Sequence, residues 1–350
     1  MTHGGVIMKK SITMKDIAEE LKVSVVTVSK ALGNKGNVSE ELRGRIVKLA
    51  DEMGYRLNTL AKSMKDGFSY NIGIMVSERF VGKPQSFYPF FYQHISKMLE
   101  EYNYYGILQV LSIQDEEQFI LPRAYYEKKV DGLIVLGQIS VEYAQLLKQS
   151  EVPIVLLDFY DERIDIDSVV SDNFFGSYEL TSYLVKMGHR NIAFIGDIYA
   201  TSSIQDRFLG YYKALLENRI KLRDEYIIND RDRDGRFIDI SFPKVMPTAF
   251  VCNNDELAYN TINKLKEMGF NVPEDYSVVG FDNSVHSTIS SPQITTMGVD
   301  VEEMAKTANK FIMNKVKKEN KRYGRVTIKE KILYRDSVKN LLNMVKSLDA

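Results

Sequence analysis

The chain has 350 residues, of which 44% are hydrophobic, 11% aromatic and 27% charged, with a formal net charge of −1. That length is too great for one ordinary core and points to two or three soluble domains, and no apolar run approaches the roughly 18 residues of a membrane span. The charge is uneven: residues 1–68 hold 12 Lys/Arg against 8 Asp/Glu and the remainder 34 against 39, so an anionic partner is expected for the first segment alone. Residues 1–10 carry no apolar segment of the signal-peptide type and are expected to be a flexible N-terminus. With Cys252 the single cysteine, no internal disulfide can form, and a reducing, cytoplasmic setting is expected.

The first structured segment is expected over 11–56. Thr13-x-x-Asp16 reads as an N-cap with an acidic partner, ahead of apolar Ile17, Ala18 and Leu21. Lys22 and Val23 break that pattern, and Ser24 offers a second cap. Ser39 offers a third, with Leu42, Ile46, Leu49, Ala50 and Met53 on one face and Gly54 as the stop. Between them, Val23, Val25, Val26, Thr27 and Val28 are β-branched, and propensity alone would make this stretch a strand. The spacing of Val28, Ala31 and Leu32 argues instead for a helix, because they share one arc at about 100° per residue. Val26, Ser29 and Lys30 then lie opposite, with Val25 flanking. An outward valine fits thymine methyl groups in a major groove, with Lys30 reaching a guanine edge or a phosphate. Three short helices joined this tightly fit a helix-turn-helix, and equally a small bundle used for protein contacts.

The run from Ile12 to Asn34 resembles the opening of the lactose-repressor (LacI/GalR) family, whose pattern is T-x-x-D-[IV]-A followed by V-S-x-x-T-V-S-[RK]. Val38-Ser39 and Met53-Gly54-Tyr55 continue the match. The resemblance implies that Val25, Val26 and Lys30 read bases, and that Thr13, Ser24, Thr27, Ser29 and Asn34 hold the DNA backbone. Two valines in the reading pair imply methyl contacts to A·T pairs. It further implies a hinge over 57–69, in which Asn58 caps a short helix, Ala61 and Lys62 enter the minor groove, and Met64 is the apolar wedge. Lysine stands there where arginine is usual, and methionine where leucine is.

Beyond residue 70 apolar runs alternate with amphipathic ones. Strands are expected at 72–76, 107–111, 132–136 and 154–157, with helices near 90–103, 116–128 and 140–149. A second set follows at 192–195, 249–252 and 277–281, with helices near 204–217, 254–269 and 301–318. Two blocks of βα alternation imply two parallel-sheet lobes, with a ligand in the cleft at the strand ends. Polar clusters follow the strands: Asp172-Asn173, Ser203 with Arg207, Asn254-Asp255, and Asp282-Asn283. Singly each reads as a turn or a cap; together they suit neighbouring hydroxyls of a polyol.

This body is similar to the periplasmic-binding-protein type I fold carried by the same family, with Val130 to Val135, Gly188-His189-Arg190, Gly210 and Gly280-Phe281-Asp282 matching its landmarks in order. The fold expected is thus an all-α helix-turn-helix head on a two-lobed α/β body over 70–340. The first lobe would take about 70–187 and 299–324, the second about 188–298 and 325–340, with crossovers near 186–190 and 295–300 and a last strand near 326–334 as a third link. A tail would follow over 341–350. The resemblance implies an effector site of Asp172, Ser203, Arg207, Asn254 and Asp282, and a homodimer on a pseudo-palindromic operator in double-stranded DNA. Where the family has N-P-F-F this chain has Tyr88-Pro89-Phe90-Phe91, so Tyr88 or Phe90 could stack on a sugar face. His189 reads as structural.

An enzyme is not expected: there is no G-x-S-x-G, Walker loop, H-E-x-x-H or Cys/His metal spacing, and the four histidines are scattered. A transporter's solute-binding protein would need a signal peptide and no helix-turn-helix. A sugar-responsive repressor without cofactor, metal or membrane contact is the reading carried forward.

Overall fold

The computed structural model describes residues 12–33, 36–56, 59–81, 87–232, 238–319 and 321–342; of residues 59–62 it describes the backbone only. The chain divides into two compact units, with the boundary between Phe68 and Ser69.

The first unit holds α1 (Met14–Glu20), α2 (Val25–Leu32), α3 (Glu40–Glu52) and α4 (Thr59–Asp66). Each of the first three begins at the cap read from sequence. Thr13 and Asp16 form a reciprocal capping box, the Ser24 hydroxyl accepts from Thr27 N at 3.0 Å, and Ser39 accepts from Leu42 N at 3.4 Å. Gly54 follows the C-cap of α3 at φ 70, the left-handed turn that glycine takes without a Cβ penalty. The β-branched run is therefore helical. Its cap supplies local hydrogen bonds, and burying Val28 and Ala31 against Ile17, Ala18, Ile46 and Ala50 overrides strand propensity.

The second unit opens with β1 (Asn71–Ser77), α5 (Tyr88–Glu101), β2 (Tyr105–Leu111), α6 (Ile113–Glu117), α7 (Arg123–Tyr126), β3 (Gly132–Leu136), α8 (Val141–Lys148), β4 (Ile154–Leu157) and β5 (Ser168–Ser171). It continues through α9 (Asn173–Lys186), β6 (Ile192–Ile195), α10 (Ser202–Glu217), β7 (Ile227–Ile228), β8 (Ala249–Cys252), α11 (Asp255–Glu267), β9 (Ser277–Phe281), α12 (Val285–Ile289), β10 (Thr295–Gly298), α13 (Val301–Val316), β11 (Arg325–Ile328) and β12 (Lys331–Leu333).

These strands form two six-stranded sheets, in the orders β11-β5-β4-β3-β1-β2 and β12-β10-β9-β8-β6-β7. The ladders are parallel except β10 with β12. Both faces of each sheet are covered. In the first lobe, Ile72, Ile74 and Val76 of β1 pack on α5 and α13, whereas Met75 faces Tyr143 and Leu147 of α8. In the second, α9 and α10 cover one face through Leu180, Leu184, Tyr211 and Leu215, and α11 covers the other through Ala258, Ile262 and Leu265. Strands buried on both sides explain the unbroken apolar runs.

Three expectations are corrected. The chain first crosses between lobes at Asp172, not near 186–190, because α9 packs on α10 and the second sheet. The strand expected over 326–334 is two strands, with β11 in the first sheet and β12 in the second, so residues 325–328 belong to the first lobe. The helix expected over 116–128 is α6 and α7, broken where Phe119 takes φ 56 and Pro122 can neither donate nor continue a helix. The remaining crossing, between β10 and α13, falls at 299–300, inside the expected range.

Candidate functional site

In the first unit, α2 turns its reading side outward. Val26 is 63% exposed and Val25 44%, with Ser29 and Lys30 also exposed, whereas Val28 and Ala31 are buried. Two exposed valines on an eight-residue helix leave water-facing apolar surface that the unit's own core does not use. Ser24 and Thr27 share a hydroxyl contact of 2.8 Å at the start of this helix, and Thr13 is engaged by Asp16. In α4, Met64 is 88% exposed. Asn34 and Asn58 lie outside the described residues, as do the side chains of Ala61 and Lys62.

In the second unit, the carboxyl ends of the two sheets enclose a cavity of about 360 Å³. Of the expected site residues, Tyr88, Ser203, Arg207, Asn254 and Asp282 line it. Phe90 and Asp172 do not. Phe90 is half-exposed on the outer face of α5, and the Asp172 carboxylate caps α9, accepting from Phe175 N at 3.2 Å.

Arg207 organises the floor. It is 6% exposed, and each arm of its fork is engaged: Nε donates to Asn173 Oδ1 at 2.7 Å, one terminal nitrogen to the Asn253 carbonyl, the other to Asp282 Oδ1 at 3.2 Å. The guanidinium also lies over the Phe281 ring, 3.7 Å from its centroid. Its helix can stand this close because Gly210 has no side chain: a Cβ there would come within 2.0 Å of the Phe174 carbonyl oxygen. Gly280 does the same beneath the site, where a Cβ would meet the buried Asp255 carboxylate at 2.2 Å. Asp255 in turn accepts from Ser284 N at 2.6 Å and from Thr296 Oγ1 at 2.5 Å, holding the turn that carries Asp282.

Across the cavity, Asp158 accepts from the Tyr88 hydroxyl at 3.1 Å. Asp158 and Asp282 both sit on left-handed backbone, at φ 68 and φ 101. Backbone held off its favoured regions in this way clusters at ligand sites, where the surrounding fold over-determines it. Burial pushes both carboxyls up. Asp158 rises to about 6, restrained by Arg207 and the Tyr88 hydrogen bond, and Asp282 to about 7, restrained by Arg207 and raised further by Asp158. Burial, then the Asp158 charge, pushes the Tyr88 phenol well above its ordinary range. The result is a concave site of carboxyl acceptors, a fixed guanidinium and amides, walled by the rings of Phe80, Phe87 and Tyr88.

Asp158, Asn253, Ser284 and His286 also line the cavity and were not singled out in the sequence. Asp158 follows β4 directly, so the strand-end rule that selected Asp172 and Asp282 selects it too. His189 stands apart, buried between Thr248 Oγ1 at 2.9 Å and the Lys339 carbonyl at 3.2 Å, and burial lowers its pKa. Among the described residues no group of His, Cys, Asp or Glu is placed to hold a metal ion, and no helix is long and apolar enough to cross a membrane.

A helix-turn-helix unit joined to a two-lobed ligand-cleft fold defines the class of ligand-responsive DNA-binding regulators. Residues 13–58 match the model for bacterial regulatory proteins of the lacI family, and residues 181–338 the periplasmic binding protein-like domain. The HTH-type transcriptional regulator RegA of Clostridium saccharobutylicum is 30% identical over 93% of this chain and 98% of its own length. The probable HTH-type transcriptional repressor ExuR of Bacillus subtilis is 28% identical over 94% and 99%. Among solved structures, the Lac repressor dimer bound to operator and the anti-inducer ONPF superposes with a TM-score of 0.76 at 21% identity, covering 94% of this chain and all of that one. The chain belongs to the LacI family of bacterial transcription regulators, a family of regulators and not of enzymes.

Proposed function

We propose that this protein is a cytoplasmic, homodimeric repressor of a carbohydrate-utilisation operon, released or engaged by a sugar-type effector in the cleft between its lobes. The observation that carries the reading is Arg207, a buried guanidinium fixed by Asn173, Asn253 and Asp282 at the wall of a cavity of about 360 Å³. That volume falls in the range of about 300–1,000 Å³ usual for small-ligand sites. Asp158 and Asp282 accept from neighbouring hydroxyls, the Asn254 amide donates, and the Tyr88 and Phe80 rings cover a C–H face.

On the DNA side, Val25, Val26 and Lys30 read bases of each half-site, while Thr13, Ser24, Thr27, Ser29 and Asn34 hold phosphates. Asn58, Ala61 and Lys62 belong to a hinge helix whose wedge is Met64. Exposed valines favour thymine methyls, and so an A·T-rich position in the operator.

The test is a thermal-shift screen of the purified protein against mono- and disaccharides, their acids and their phosphates. A ligand at 100 times its Kd adds about 2.7 kcal/mol of stability. A compound that stabilises the wild type and not Asp282→Ala supports the reading. Saturable binding that Asp158, Arg207 and Asp282 substitutions leave untouched would move the effector elsewhere.

A further inference from the structure

The last link between the lobes carries a group that the cleft as described does not use. Glu330 sits between β11 of the first sheet and β12 of the second, flanked by exposed Lys329 and Lys331, yet is itself only 9% exposed. Neither carboxyl oxygen has a hydrogen-bond partner. Its Oε2 abuts α9 of the second lobe so closely that a Cβ on Gly176 would lie 2.6 Å away, in a spot also bounded by Phe281 and Met297. The charged groups facing it are Arg207 from α10, Asp282 after β9 and Asp172 before α9, with the Ser171 hydroxyl from β5. The first and third links are tied beside it, Asp172 N donating to the Ile328 carbonyl at 3.0 Å.

An unpartnered buried carboxylate is costly, and a chain keeps one only where the neutral acid is the resident form or another arrangement supplies partners. Here both conditions fit. Burial pushes the Glu330 carboxyl up to about 8, with Asp282 and Asp172 adding to the rise and Arg207 restraining it. Its position on an inter-lobe link means that any change in lobe setting changes its packing against Gly176 and its distance from Arg207.

We propose that Glu330 is a positioning residue that links the setting of the two lobes to uptake of one proton. In the arrangement described here the acid is neutral and packed against the second lobe. A setting that exposes it to water or to the Arg207 guanidinium releases that proton, and is favoured as pH rises. The inference rests on the cleft around Arg207 as the effector site for its regulatory meaning, but the proton linkage itself is tested without effector.

The experiment compares wild type with Glu330→Gln, which keeps the size and the neutral state. Operator affinity, without effector, is measured from pH 6 to pH 8, alongside the thermal midpoint. For one linked proton, log Kd of the wild type shifts relative to the variant by up to about one decade per pH unit. The wild-type midpoint also falls relative to the variant over the same range, because the folded acid holds a proton that the unfolded one has lost. Diverging operator profiles with diverging midpoints support the proposal. Diverging midpoints with parallel operator profiles would reduce Glu330 to a merely buried acid and overturn it, as would no divergence in either. Glu330→Ala, which opens space without a titratable group, should lose the same pH slope; keeping it would assign the slope to another residue. Retained slopes together with a normal sugar response would leave the effector site standing and remove only this inference.

Discussion

The two units solve opposite problems. The head presents its candidate reading residues to solvent, on a helix whose cap and core contacts all lie within about forty residues of sequence. The cleft hides its key side chains and assembles them from strand ends more than a hundred residues apart, as Arg207 with Asn173, Asn253 and Asp282 illustrates. An exposed valine needs only a stable helix behind it. A buried guanidinium needs every partner in place, since a missing partner leaves a buried charge uncompensated. Substitutions should therefore be local and mild in the head, and coupled and severe in the cleft.

That contrast can be broken most forcefully at Arg207. Arg207→Ala leaves Asp282 and Asn173 without their donor and should destabilise the body by about 3–5 kcal/mol, measured by calorimetry. A loss below about 1 kcal/mol would mean that the cleft tolerates an empty position as surfaces do. Gly210→Ala comes next. Its Cβ collides with backbone, so α9 and α10 must part, at about 1–3 kcal/mol in denaturant unfolding. Full stability would contradict the close approach described.

The carboxyls sharpen the comparison through pH. Asp158 and Asp282 have folded pKa values near 6 and 7, above their unfolded ones, so the folded body holds protons that the unfolded chain releases. Body stability should thus be highest below about pH 4, where the unfolded carboxyls are also protonated, and fall as pH rises to about 7. Asp282→Asn should flatten the upper part of that fall in thermal scans from pH 4 to pH 8. In the head, Ser39→Ala removes a single cap and should cost about 1 kcal/mol, visible as loss of head helix without change in the body transition. Smallest of all, Val26→Ala should leave stability unchanged and weaken one operator position by about 1 kcal/mol, roughly fivefold. A uniform loss over all sequences would place Val26 in a folding role.

The same contrast explains what the sequence made legible. Three caps, a glycine stop and a helical apolar arc are local signals, and they outweighed five β-branched residues in the recognition segment. Strands buried on both faces were also plain as unbroken apolar runs. What was hidden depends on distant partners. The α9 helix, with buried Asn173, Ser177 and Thr181 among its apolar residues, gives a weak periodic signal and was not picked out, which displaced the first crossover. Asp172 was selected for the cleft but caps α9, whereas Asp158, after an equally clear strand, was passed over. A strand-end rule finds candidates; only the angle at which each strand leaves its sheet decides which of them face inward. Glu330 gave no signal at all, since Lys329-Glu330-Lys331 reads as a solvated turn.

The account stands on Arg207 as the point where ligand and regulation meet. The most direct measurement is an operator titration by fluorescence anisotropy, with and without the stabilising sugar, on wild type and Arg207→Lys. Lysine keeps the charge that Asp282 needs but not the planar fork. The account predicts equal operator affinity for the two proteins without sugar, a response of at least about tenfold in the wild type, as expected of a coupling near 1.4 kcal/mol, and a response at least tenfold weaker in the variant. A variant that responds to the sugar as the wild type does would contradict it.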